Sequence, residues 1–425
     1  MNDKFISPRL YLILAIIFSP VIHAKNWTLQ SSLSQAIIMS PEIRQSSAII
    51  GVRSADLQLS EMWPDPSISL KVDNQVGLDK GTGDYAFSEV SISQDIPLSR
   101  MKYQKSVAQA QLSAAVYSKS YTTLLLQNQV EKLFYELQLA SAIYNLSTQR
   151  VDLADKFNTP SARKKQFNVV RYLTPLEKMR LSIIREKAHQ SEAAAQGKLN
   201  ETLERFYKLL VIDADNDLTV AALFPVVKVP QLNHLQNMQI NHPLLSSQQQ
   251  ILQAAITEID VARSSVIKDP SISINRLREN FSSGVESVYG VMLNIEIPIH
   301  DRKNSVVSKA NYNASQQRIE LGNLKRDLKM NLQRSYMHLN HVTKQAREYK
   351  KKVLEPAAKI LELTKQGFSS GELNILSLID ANNTYFDSHL QYLNLIYQAR
   401  IELAEINLYT GTFILDKPIQ TVGVQ

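Results

Sequence analysis

Asp65-Pro66-Ser67-Ile68-Ser69 recurs letter for letter as Asp269-Pro270-Ser271-Ile272-Ser273. The agreement extends in order on both sides. Ser40-Pro41-Glu42-Ile43 answers His242-Pro243-Leu244-Leu245, and Ile96-Pro97-Leu98 answers Ile297-Pro298-Ile299. The offset holds at about 201 to 204 residues, so nearly half the chain is an internal duplication. Each copy reads helix, strand, loop, strand, then a very long helical stretch. A unit of that order leaves sheet edges open, and other copies must complete it.

In copy one a helix runs from Ser31 to about Met62, interrupted at Ser40-Pro41 and stopped by Trp63-Pro64-Asp65-Pro66. Strands follow over about 66–76 and 85–97. Ile68, Leu70 and Val72 alternate with Ser69, Lys71 and Asp73 in the first, and a glycine-containing loop separates the two. Glu89 shares parity with Tyr85 and Phe87, which predicts a bulge near it. The helical hairpin spans 99–211. Leu126, Val130, Leu133, Leu137, Ala140, Tyr144, Ser147 and Val151 form a heptad seam, Pro160 interrupts it, and the return helix begins near Thr174.

Residues 212–240 form an irregular excursion, and copy two occupies 241–411. Its helix is followed by strands at about 270–281 and 287–298 and a hairpin over 301–411. The second seam is Leu328, Leu332, Ser335, Leu339, Val342, Ala346, Tyr349 and Val353, with a bend expected at Pro356. Each outgoing helix, at about 65 residues, reaches roughly 100 Å. The shorter helices stack end to end to match that length. The excursion and the 412–425 tail form a collar at mid-height.

Only 12 Gly and 15 Pro occur in 425 residues, a balance suited to long helices more than to a loop-rich enzyme. Residues 1–24 read as a secretory signal, with Lys4 and Arg9 before the apolar run Leu10 to Phe18. That run is short for a membrane anchor. The chain has no cysteine, which excludes disulfides and cysteine metal sites. A net charge of +7 without a basic block gives no nucleic-acid footprint. No later segment is apolar for about 18 residues, so any membrane entry uses strands. Four strands of about ten residues fit tilted membrane strands, but four cannot close a barrel. Three copies would give twelve. The bland alternative is a water-exposed sheet capping a coiled-coil protein.

Catalytic motifs are lacking: there is no nucleophile elbow, phosphate loop or metalloprotease helix. No cofactor or metal is expected. His338 and His341 have a helical spacing that could share a metal, but a solvated helical face is the favoured reading. Arg163-Lys164-Lys165 reads as solvated surface.

The order of these elements resembles the TolC-type outer-membrane efflux proteins, over Trp27 to Gly411. Gly371-Glu372-Leu373-Asn374-Ile375-Leu376-Ser377-Leu378-Ile379-Asp380-Ala381 looks like that family's hairpin-tip motif. Trp63-Pro64-Asp65-Pro66-Ser67-Ile68-Ser69-Leu70 and Ser91-Ile92-Ser93-Gln94-Asp95-Ile96-Pro97-Leu98 look more like its CzcC-like heavy-metal-efflux branch. The resemblance implies a mainly α, two-repeat fold. It also implies a homotrimer whose 12-stranded β-barrel in a Gram-negative outer membrane continues into a periplasmic helical tunnel.

The implied partners are a periplasmic adaptor (membrane fusion protein), an inner-membrane pump of RND or ABC type, and outer-membrane lipid. Asp380 and Ser377 fall at the implied gate. Val169, Val170, Thr174, Phe368, Gly371, Asn374 and Ile375 fall at the adaptor-docking tips. Ile68, Leu70, Tyr289, Val291, Leu293 and Ile295 are the lipid-facing set. Val169-Val170 departs from the family's usual Val-Gly, Pro175 replaces an acidic residue, and Phe368 and Leu373 replace the Tyr and Arg of a polar clamp, which leaves closure by polar or by apolar contacts open. The implied function is a passive exit duct for metal cations or other small toxic solutes. Type I protein secretion shares the tunnel, and a periplasmic adaptor or scaffold is the alternative of a different class.

Overall fold

The computed structural model describes residues 26–73, 87–97, 100–158, 174–213, 219–226, 231–265, 268–281, 284–297 and 302–414. The expected signal, the loop after the first strand, Pro160, Arg163-Lys164-Lys165, Val169, Val170 and most of the C-terminal tail lie outside them. The elements in chain order are β1 (Asn26–Trp27), α1 (Leu29–Met39), α2 (Pro41–Glu61), β2 (Ser67–Asp73), β3 (Phe87–Asp95), α3 (Arg100–Asn158), α4 (Pro175–Leu210) and β4 (Thr219–Val220). They continue with α5 (Leu232–Met238), α6 (Pro243–Ser264), β5 (Ser271–Phe281), β6 (Gly284–Asn294), α7 (Arg302–Tyr349), a π-helical segment Lys350–Leu354, α8 (Glu355–Ser369) and α9 (Ile375–Thr410).

The chain forms two compact units, and these cut across the sequence repeats. One takes Met1–Met39, Val130–Val226 and Val342–Arg400; the other takes Ser40–Gln129, Val227–His341 and Ile401–Gln425.

In the first unit α1 packs on α4, burying Leu33 and Ala36. Phe206 is fully buried, meeting Trp27 edge-on at 6.4 Å and Phe134 at 6.3 Å. β1 pairs in parallel with β4 through Trp27 and Val220. The irregular 221–226 segment is pinned by side chains. Gln138 Nε2 donates to Ala221 O at 2.8 Å, and Arg400 Nε donates to Phe224 O at 2.8 Å. The Arg400 guanidinium also lies 5.5 Å from the Tyr135 ring centre.

The heptad seam of copy two holds through Ala346, with Leu332 and Leu339 fully buried, and then shifts phase. Val353, read as the next seam residue, is 38% exposed; burial resumes at Ala357, Leu361, Thr364 and Phe368. The cause is the π-helical segment, where the Glu355 N–H reaches back to Lys350 O. Pro356 cannot donate and its ring crowds the preceding turn, so a wider turn suits it. The inserted residue rotates Val353 out and Ala357 in. Pro356 is thus accommodated by a π-bulge.

In the second unit the sheet order is β2-β3-β5-β6, antiparallel throughout. The register of β2 with β3 and of β3 with β5 is unbroken, so the expected bulge at Glu89 is absent. Glu89 belongs to the polar face, opposite Lys71, and accepts a 2.8 Å hydrogen bond from Asn275 Nδ2. The apolar parity of β3 is carried by Val90 and Ile92. β6 is displaced towards its N-terminal side of the 287–298 expectation, so Ile295 lies just beyond its last paired residue, Asn294.

His242 caps α6: its Nδ1 accepts from Leu244 N–H at 3.2 Å, and its Nε2 meets Leu408 O at 2.9 Å. Leu245, Leu321 and Leu328 form a core cluster beside it. No helix of the described residues is long and apolar enough to cross a membrane.

Candidate functional site: an apolar sheet face and a hairpin tip

Strand register decides which side chains share a face. Ile68 lies opposite Ile92, Ile92 opposite Ile274, and Ile274 opposite Val291. Leu70, Val90, Ile272, Tyr289 and Leu293 extend the same face, and these side chains are exposed. The opposite face carries Ser67, Ser69, Lys71, Glu89, Ser91, Ser93, Ser273 and Asn275, with Ser69 and Ser91 hydroxyls 2.7 Å apart. Period-two alternation therefore aligns across all four strands. Five of the six residues read as lipid-facing (Ile68, Leu70, Tyr289, Val291 and Leu293) lie within the strands on this one face, with Ile295 exposed just past its edge. Among the described residues β2 and β6 each have a neighbour on one side only.

At the hairpin tip, α8 ends by reversing through Gly371, whose φ of +84° lies in the left-handed region. The Glu372 and Leu373 N–H groups return to Gly367 O at 2.9 and 3.0 Å. Leu373 lies so close over Gly367 that a Cβ there would come within 2.7 Å of its Cδ1. Asn374 starts α9: its Oδ1 accepts from the Ser377 N–H at 2.9 Å and from the Ser377 hydroxyl at 3.1 Å. Ser377 is thus a partner of the helix cap, while Asp380, one turn further on, is exposed.

Phe368 and Ile375, assigned to docking surfaces by the motif, are buried in the tip's own core. They join Phe157, Leu181, Leu361, Leu378 and Ala381, bringing α3, α4, α8 and α9 together. Gly371 and Asn374 are exposed. So is Thr174, which closes a capping box at the start of α4: Glu177 N–H donates to its Oγ1 at 3.2 Å, and its own N–H donates to Glu177 Oε2 at 2.8 Å.

Behind the tip, Arg150 donates to Asn383 at 2.8 Å. Arg185 lies 2.5 Å from Asp155, and this hydrogen bond holds the Asp155 carboxyl below its usual range. A groove of about 430 Å³ there includes Asp152, Lys156, Glu362 and Lys365. Burial, then the charge of Lys156, pushes the Lys365 ammonium pKa down. His338 Nδ1 lies 2.8 Å from Glu402 Oε1. Among the described residues no group of three His, Cys, Asp or Glu could hold a metal ion.

Sequence reasoning missed the cap formed by His242 and the pinning role of Arg400. The first was readable from its place immediately before Pro243 at a helix start; the second had no local signal.

Long paired helices carrying a small four-stranded antiparallel sheet with one apolar face define a TolC-like channel fold. Residues 234–412 match the model of the family described as "Outer membrane efflux protein". Over those residues the chain is similar to that family, and its fold is the TolC-like one. It is 23% identical over 287 residues to the "Cobalt-zinc-cadmium resistance protein CzcC" of Cupriavidus metallidurans. That alignment takes in 65% of this chain and 66% of the relative, just under two thirds of the relative's length. Among solved structures, CusC superposes with a TM-score of 0.73 at 15% identity, covering 93% of this chain and 96% of CusC. The open-state MtrE outer membrane channel of Neisseria gonorrhoeae gives 0.73 at 14%, covering 90% and 89%.

Proposed function

We propose that the protein is the outer-membrane exit duct of a tripartite efflux system. Three copies close one 12-stranded barrel in a Gram-negative outer membrane, and the helices extend into the periplasm. The observation that carries this reading is the four-stranded sheet with an aligned apolar face and two unpaired edges. Unpaired backbone groups are not tolerated in hydrocarbon, so such a sheet must be closed by other copies. Its serine-rich face then lines the lumen.

The duct is passive. A periplasmic adaptor meets the exposed tip positions Thr174, Gly371 and Asn374, and an inner-membrane pump of RND or ABC type supplies the driving force. Likeness to a protein named for cobalt, zinc and cadmium resistance supports metal cations as the solute class. Asp380 supports it too: three copies would bring three carboxylates around the axis, and such rings favour cations. Their mutual repulsion makes the ring a site for polyvalent cations.

The test is membrane fractionation with mass analysis of the detergent-extracted protein. A trimer in the outer-membrane fraction is expected; a soluble monomer would overturn the proposal.

A further inference from the structure

The apolar face of the sheet ends in a pair of arginines. By register, Arg276 and Arg278 share the face of Ile272, Ile274, Val291 and Leu293, and both are exposed. They lie towards the β-hairpin end, away from the helices. Arg276 stands opposite Tyr289, its guanidinium carbon 5.8 Å from the ring centre. Glu89 and Glu286 fall on the opposite face, as does Lys71. Neither arginine has an ion-pair partner among the described residues. Along the same face runs an open groove of about 690 Å³, lined by Val90, Ile92, Ile272 and Ile274 and reaching Arg276 and Tyr289 at one end.

A largely aliphatic groove that reaches Arg276, with Arg278 two residues further along the same face, matches one chemistry: an amphiphile with an anionic headgroup. Guanidinium groups bind phosphoryl oxygens in a planar, bidentate manner, and an aromatic ring at the interface holds the cation in place. We propose that Arg276 and Arg278, braced by Tyr289, bind the phosphoryl headgroup of an outer-leaflet glycolipid whose acyl chain lies in the adjoining groove. This rests on the reading that the apolar face meets lipid and that the hairpin end faces outward. The occupant is a lipid rather than free phosphate because the apolar groove is continuous with Arg276.

The experiment titrates the full-length protein, in neutral detergent, with diphosphorylated lipid A and with the same lipid lacking phosphate, by native mass spectrometry. The phosphorylated lipid is expected to bind at least about tenfold more tightly. The pair Arg276→Gln and Arg278→Gln abolishes that preference, the pair Arg276→Lys and Arg278→Lys retains part of it, and Lys71→Gln on the other face leaves it intact. Equal affinity for the two lipids, or a preference untouched by the glutamine pair, overturns the site. Displacement of the lipid by millimolar inorganic phosphate would make it a free-anion site and overturn the proposal equally.

The chain has no cysteine, so a fluorophore on Val291→Cys reports lipid contact independently through a bilayer-resident quencher. Quenching without headgroup preference sinks the site alone. Absence of quenching sinks the lipid-facing reading beneath it.

Discussion

Phe157 on α3 and Phe368 on α8 meet edge-on, with ring centroids 6.5 Å apart and planes at 74°. Both are 3% exposed, and they join the start of α9 to the outgoing helix of the other repeat. Where related tips are expected to use a polar clamp, this one has an apolar core within its own chain. Phe368→Ala removes the ring and leaves a cavity, at a cost of about 3–5 kcal/mol to local stability. Hydrogen exchange should accelerate from Leu361 to Ala381 in that variant while the sheet stays protected. Unchanged exchange at the tip would show that the ring pair does not hold it.

The tip also shows what the sequence could and could not convey. The duplicated Asp-Pro-Ser-Ile-Ser tag placed both strand pairs, and Ser40-Pro41 placed the break between α1 and α2, because prolines and strict alternation act locally. The motif assigns Phe368 and Ile375 to the docking tip because it marks a turn without saying which turn residues point inward. Glu89 suggests a bulge only with Phe87 as the guide to parity; Val90 and Ile92 set the apolar face. Val353 left the seam because one π-turn shifts helical phase, an effect that a heptad pattern cannot contain. The β1–β4 pairing spans two residues per strand, too few for any periodic signal.

Adaptor docking at the exposed turn has a positional test. Photocrosslinkers at Ser370 and Asn374 should capture the adaptor, while one at Lys119, far along α3 in sequence, should not. Capture at Lys119 alone would place docking elsewhere.

His242 makes stability depend on pH. Because Nδ1 accepts the Leu244 N–H, the proton of the neutral ring is on Nε2, where it donates to Leu408 O. Burial pushes the imidazole pKa below its ordinary 6.5. The unfolded chain therefore takes up a proton before the folded one does. The stabilisation from neutral His242 is complete above about pH 6.5 and is lost as pH falls through the folded-state value. Thermal melts between pH 8 and pH 5 should show this loss. His242→Asn keeps a cap but loses the Nε2–H donor to Leu408 O, which still accepts from the Gly411 N–H; it should cost about 1 kcal/mol at pH 8 and flatten the acid limb. An acid limb as steep as that of the wild type would remove His242 from the account.

Val291 lies on the apolar face opposite Ile274. Val291→Arg should cost roughly 2–4 kcal/mol if the position is near the bilayer midplane, and trimer yield in the outer membrane should fall. Ser273→Arg, on the polar face opposite Met292, should be tolerated better. Equal tolerance of the two would mean that this sheet does not face lipid.

The central claim is that the assembled chain conducts and that Asp380 sets the selectivity of its entrance. Single-channel recording in a planar bilayer across a salt gradient tests it directly, with and without a trivalent cation. The account predicts discrete conductance steps, a cation-selective reversal potential and block by the trivalent ion, with selectivity and block both reduced in Asp380→Ala. Trimeric protein that produces no conductance would contradict the channel itself. Steps whose selectivity and block are unchanged in Asp380→Ala would remove the carboxylate from the constriction.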